Sequence, residues 1–228
     1  MVKLNLIKDL TSKDFTTRWF AAEVLGTKRS LSERDIDYLI SLLPTSDVAE
    51  VIIWVLGRFK VERAIPDISK FLTHTNPYYR WRATYALRDI GTKTAREVLE
   101  TGLRTLDSET KWKCALALRG MGDIASFEPL WEAASSDEDR YVRWEAICAI
   151  TFLHGKVEDL VKRKLNSGKL SDFMLWRGVW VLSRVGNRAT ISWLDSYIKR
   201  HNRISPYVRY QIGLTKKAIT LKDGNVKR

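Results

Sequence analysis

The side chains that could carry covalent or metal chemistry are few here and lie far apart. His74, His154 and His201 are scattered, and none is followed by glutamate. Cys114 and Cys148 are the two cysteines. Two give neither a disulfide framework nor zinc spacing, and they read as small core residues. No phosphate-binding loop, dinucleotide fingerprint or nucleophile triad occurs. The chemistry that the sequence does offer is that of binding. It holds nine tryptophans, and 39 Lys and Arg against 27 Asp and Glu leave a net charge of +12. Such a balance favours acidic partners and speeds encounter with them. Arg and Lys can meet phosphates while bases stack on tryptophan. The same pair, Trp and Arg, supplies the usual anchors of protein interfaces.

The elements that must position these residues repeat. The stretch Asn76–Gly91, NPYYRWRATYALRDIG, reads as one helix, and variants of it recur at intervals of about 31–34 residues. With Arg80 as position 1, the second position holds Trp19, Glu50, Trp81, Trp112, Trp144, Trp176 and Tyr210. Tyr79, Ala83, Ala86, Leu87 and Ile90 form one buried helical stripe. Small fourth-position residues (Ala21, Ala83, Cys114, Ala146, Gly178) allow close helix approach. Gly91, Gly122, Gly155 and Gly186 suit helix ends. A shorter helix precedes each copy, with Ser32-x-x-Asp35 as an N-terminal cap for one of them. Two helices per period make an α-solenoid, in which each unit buries its apolar face against its neighbours.

The unit resembles the HEAT repeat, in the short form known from bilin-lyase-type proteins. VERAIPDISKFL (Val61–Leu72) followed by YRWRATYALRDIG carries the likeness, which covers about seven units. The resemblance implies an all-α fold: a right-handed α-solenoid of about seven HEAT-like helix pairs in a single curved domain. It implies that the second helix of each pair lines the concave surface. It also implies that Asp and Arg near the start of these helices form a ladder that fixes repeat stacking. Asp14, Asn76, Asp107, Asp139 and Ser205 stand four residues before Arg18, Arg80, Lys111, Arg143 and Arg209. These basic residues are therefore left out of the site. The metal-binding His-Glu pairs of the HEAT-repeat hydroxylases are missing from the sequence.

Residues 1–221 are assigned to the repeat domain and 222–228 to a short basic tail, KDGNVKR, read as frayed. The longest apolar run, Val51–Leu56, is far too short to span a bilayer. The N-terminus lacks an apolar secretory core. The expectation is a cytoplasmic protein with no membrane partner.

Position 2 lies about 180° from the buried stripe at 100° per residue. Its tryptophans, Trp81, Trp112, Trp144 and Trp176, are taken as the anchors of a binding surface on the concave face. Position 3 adds Arg82, Lys113 and Arg177, position 6 adds Tyr85 and Trp180, and position 9 adds Arg88 and Arg119. The competing reading packs these aromatics between helices as lateral core. Three functions are weighed. The first is a non-enzymatic scaffold, of adaptor, inhibitor or immunity type, that grips an acidic protein in a basic, tryptophan-lined groove. The second is binding of single-stranded or damaged nucleic acid. The third is an enzyme resembling the alkylpurine DNA glycosylases, in which Glu145, Glu23 or Glu50 would replace the family's Asp; its tandem Trp-Trp-Asp motif is missing. The scaffold is preferred, with no catalytic residue, no metal and no cofactor.

Overall fold

The computed structural model describes residues 6–28, 30–45, 48–201 and 203–225. The fold is all-α, with fourteen α-helices among the described residues. They are α1 (Leu6–Asp9), α2 (Phe15–Gly26), α3 (Glu33–Leu42), α4 (Ala49–Arg58), α5 (Ile65–Lys70), α6 (Pro77–Ile90), α7 (Lys93–Thr105), α8 (Ser108–Met121), α9 (Phe127–Ser136), α10 (Arg140–Ile150), α11 (Val157–Asn166), α12 (Asp172–Val185), α13 (Arg188–Arg200) and α14 (Pro206–Asn225). The even-numbered helices carry the repeated motif. None of the fourteen is long and apolar enough to cross a membrane.

The chain divides into two compact units, Met1–Met121 and Gly122–Arg228. In the first, the expected stripe of α6 is the core face: Ala83 and Leu87 are fully buried and Ala86 and Ile90 nearly so. Tyr79 ends that stripe half-buried, its ring against His74 and Phe71 at 4.5 and 6.0 Å. Helix α4, IIWVL at its centre, is buried from Ala49 to Ile53 and from Val55 to Gly57. A Cβ on Gly57 would stand 2.7 Å from the Ala86 Cα, so glycine is what lets α4 and α6 meet backbone to backbone. In the second unit Ala146, Ile147, Val179 and Leu182 are fully buried, and Trp131 of α9 is core as well. The fourth-position residues are buried throughout, Cys114 among them; Cys148 is only half-buried.

Helix starts follow local chemistry. Ser32 accepts from the Asp35 N–H, as its spacing predicts. Asp14, Asn76, Asp107, Asp139 and Ser205 are also N-caps, each accepting from a backbone N–H two or three residues on. The ladder implied above is seen in part: the acids cap their own helices, Asp107 also feels the charge of Arg80 from the preceding repeat, and the arginines hold the turn just before. Arg18, Arg80 and Arg143 each direct Nη1 at the carbonyls six and five residues back, at 2.6–3.0 Å. Contact with the next repeat comes from the other end of the fork. Arg18 Nη2 lies 3.5 Å from Glu50, and Arg80 Nη2 donates to Glu109. A turn carbonyl held by a guanidinium fixes the angle at which each second helix leaves its loop.

Two further expectations change. Gly91 caps α6 in the left-handed conformation, φ 71°, but Gly186 is extended. Its glycine is needed for space, because a Cβ would meet the Leu182 carbonyl oxygen at 2.5 Å. Helix α14 continues through Lys222, assigned above to the tail, whose ammonium donates to the carbonyls of Ser183 and Arg184. Residues 226–228 of that tail lie outside the described residues.

Candidate functional site

In the first unit the expected residues of α2, α4 and α6 come together. Trp19 meets Trp54 edge-on, with ring centroids 5.9 Å apart. On α6, Trp81 packs against Tyr85 at 4.9 Å and Tyr78 at 5.7 Å. The Arg82 guanidinium lies between the two helices, 4.6 Å from the ring centres of both Trp19 and Trp81. Its Nε and Nη2 donate to the Tyr78 hydroxyl at 3.1 and 2.6 Å. Arg88 stacks on Tyr85 at 4.3 Å and forks onto Asp89. Trp19, Trp54, Trp81 and Tyr85 are all half-buried. They pack sideways on one another and still present an edge to solvent.

Trp112 on α8 is exposed, and Arg119, two turns further along the same face, is half-buried. Lys113 corrects an expectation. It is buried and its ammonium is bonded to Glu109, so it offers no charge to a partner. Of the carboxylates weighed as catalytic, Glu50 is buried beside Arg18 and Glu23 is exposed on α2.

In the second unit Trp144 of α10 is 45% exposed and its ring lies 5.4 Å from that of Trp180 on α12. Arg184 is exposed and stacks over Trp180 at 5.3 Å, with no carboxylate partner among the described residues. Trp176 is half-buried. Arg177 is a second correction. It is buried, donates from Nη1 to the Ala134 carbonyl at 2.7 Å, and sits 4.0 Å over the Phe173 ring. Ala134 belongs to the last turn of α9, where a cation meets the negative end of the helix dipole. Burial, with the nearby Arg143 charge, pulls the Arg177 guanidinium down to about 10. It is a structural cation. Glu145, beside Trp144 in sequence, is buried.

The sequence reading missed a whole row. Three residues before position 2 stand Tyr78, Tyr141, Phe173 and Tyr207, on the same face one turn earlier. All four are exposed, Tyr141 at 60% and Tyr207 at 80%. Arg140 donates to the Tyr141 hydroxyl at 2.7 Å. The signal was present as the aromatic at the same offset before four of the seven motifs.

The second unit thus carries a double row of aromatics on its even-numbered helices, the first a single row joined by Tyr78, and guanidinium groups lie on rings in both. Among the described residues no group of three His, Cys, Asp or Glu is placed to hold a metal ion. The arrangement can stack flat groups and attract anions.

Residues 36–118 match the family model for HEAT repeats. The structure of the complex of CpcE and CpcF of phycocyanin lyase from Nostoc sp. PCC7120 aligns at 18% identity over 93% of each chain, with a TM-score of 0.48. Human deoxyhypusine hydroxylase aligns at 19% identity over 94% of this chain and 83% of its own, TM-score 0.43. A designed armadillo repeat protein solved with the peptide (KR)4 aligns at 14% identity over 94% and 98%, TM-score 0.43. No curated protein matches the sequence.

Proposed function

We propose that this HEAT-repeat chain is a non-enzymatic scaffold that holds an acidic protein against the aromatic rows of its second helices. The anchors are Trp81, Arg82, Tyr85 and Arg88 with Trp112 and Arg119 in the first unit, and Trp144, Trp176 and Trp180 in the second. Tyr78, Tyr141, Phe173 and Arg184 join them. Lys113 and Arg177 do not.

One observation carries the reading. Aromatics of the same register stay exposed in successive repeats, with Trp144 and Tyr141 side by side on α10 and Phe173 on α12. Isolated exposed aromatics need no explanation, but a contiguous apolar patch on a soluble surface marks a binding site. A net charge of +12 sets the sign of the partner. An acidic protein suits this face better than a phosphate strand, which needs a series of open cations, because Arg88 is held by Asp89 and Lys113 by Glu109.

The test is isolation of the untagged protein with whatever it carries, followed by rebinding to two variants. Trp144→Ala removes an exposed anchor; a central aromatic of this kind is worth about 2 kcal/mol or more, roughly thirtyfold in affinity. Trp131→Ala removes a core ring and should lower the melting temperature instead. A stoichiometric acidic protein that Trp144→Ala fails to hold supports the scaffold. Co-purifying nucleic acid with a steep salt dependence, or an intact complex with Trp144→Ala, overturns it.

A further inference from the structure

We infer that Arg82 and Tyr78 form a reading site for one carboxylate, the side chain of an Asp or Glu on the bound protein. The inference rests on the scaffold reading and supplies its local chemistry. The guanidinium is held before any ligand arrives. The Trp19 and Trp81 ring centres lie 4.6 Å from it and that of Tyr78 5.0 Å, and the Tyr78 hydroxyl takes the Nε–Nη2 edge. What remains is the opposite edge, Nη1 with the second Nη2 hydrogen. Nη1 has no protein acceptor, and it is not among the unpaired polar atoms sealed from solvent. No carboxylate among the described residues pairs with Arg82.

That free edge presents two parallel N–H groups, the arrangement that a carboxylate matches with both oxygens. The Tyr78 oxygen accepts from Nε and Nη2 and so holds the fork with its far edge outward. The indole rings beside the cation displace water from it without hydrogen-bonding to it. Rotamer freedom is already lost in the free protein, so little further ordering opposes binding.

The number of open cations decides between a carboxylate and a phosphate backbone. A nucleic-acid strand engages a series of cations along its length. The row in which Arg82 stands reads Phe20, Val51, Arg82 and Lys113 in the first unit. Two are apolar, and Lys113 is buried on Glu109. One open guanidinium between rings suits one acid flanked by apolar residues.

The experiment is a nitrogen-15 NMR titration of the full chain, following the Arg82 Nε–H and the Trp19 and Trp81 indole N–H signals. The probes are acetyl-Leu-Glu-Leu-amide, its Gln counterpart, inorganic phosphate and an eight-residue oligothymidylate. The expected result is saturable shifts at these three signals with the Glu peptide, at least tenfold tighter than with the Gln peptide. Arg82→Lys keeps the charge but loses the flat fork, and should erase that preference while the remaining indole signals stay in place. Tyr78→Phe should weaken the Glu peptide severalfold. Equal binding of Glu and Gln peptides, no shift with either, or tighter binding of phosphate or oligothymidylate overturns the site. If the site fails while Trp144→Ala still loses the isolated partner, the scaffold reading stands alone; if Trp144→Ala also keeps its partner, both fall.

Discussion

Replacing Gly57 by alanine tests the helix contact on which the first unit depends, and it does so through the sign of the effect. Within a helix, Gly→Ala normally stabilises by roughly 0.5–1 kcal/mol because the unfolded chain loses freedom. At Gly57 the added carbon would stand 2.7 Å from the Ala86 Cα and 2.8 Å from its Cβ. Carbon atoms settle at about 3.5–4.0 Å, so α4 and α6 must part by about 1 Å. The atom in the way is backbone and cannot swing aside. Overpacking of this kind costs about 1–3 kcal/mol, which outweighs the propensity gain. Gly57→Ala should therefore destabilise by about 1–2 kcal/mol. Gly213→Ala on α14, where nothing lies within 4 Å, should stabilise by up to about 1 kcal/mol. Urea unfolding followed by circular dichroism reads both, and amide exchange should show the Gly57 loss across α4 and α6. Adding Ala86→Gly should rescue Gly57→Ala only in part, since the Cα clash remains. If both glycine variants stabilise alike, the close approach of α4 and α6 is refuted.

Two further outcomes follow from buried or bonded groups. Burial works to raise Asp107, but the hydrogen bonds from Thr110, with the Arg80 charge, outweigh it and hold the carboxyl below its ordinary value of 3.8. A depressed acid gives stability that is present above the unfolded value and lost as pH falls through the folded one. Asp107→Asn, which keeps the cap acceptor, should flatten the stability profile below about pH 4, measured by melting temperature against pH. Burial, with the Asp107 charge, pushes the Cys114 thiol up to about 12. In a Cys148→Ser background it should react with Ellman's reagent at pH 8 at least a hundredfold more slowly than in urea-unfolded chain; equal rates would contradict its burial.

Much of the fold was legible because each repeat states it again. The period and the buried stripe recur along the chain and the small fourth residue in five of the copies, and consistency across levels of this kind is what makes a sequence specify a structure. The caps illustrate what was not legible. An Asp four residues before an Arg fits both a ladder between repeats and a pair of local roles. Only coordinates show that the carboxylate turns to its own helix and the guanidinium to its own turn. Gly186 is a similar case, since glycine at a helix end suits either a left-handed cap or a tight contact.

The site was legible only where angle alone decides. At 100° per residue, positions 2 and 9 lie about 180° and 160° from the centre of the buried stripe, and Trp81, Trp112, Trp144 and Arg88 all reach the surface. Position 3 lies only about 80° from that centre, on the flank where a neighbouring helix packs. There the outcome depends on what the neighbour supplies. Glu109 draws Lys113 inward along its own helix, and the Ala134 carbonyl draws Arg177 inward to the end of α9. Arg82 meets two indole faces and a phenol instead, none of which can neutralise it. Three basic residues of one register thus part ways according to their neighbours: Lys113 is bonded to a carboxylate and Arg177 to a buried carbonyl, while Arg82, held by rings and a phenol hydroxyl, keeps an edge open for a partner.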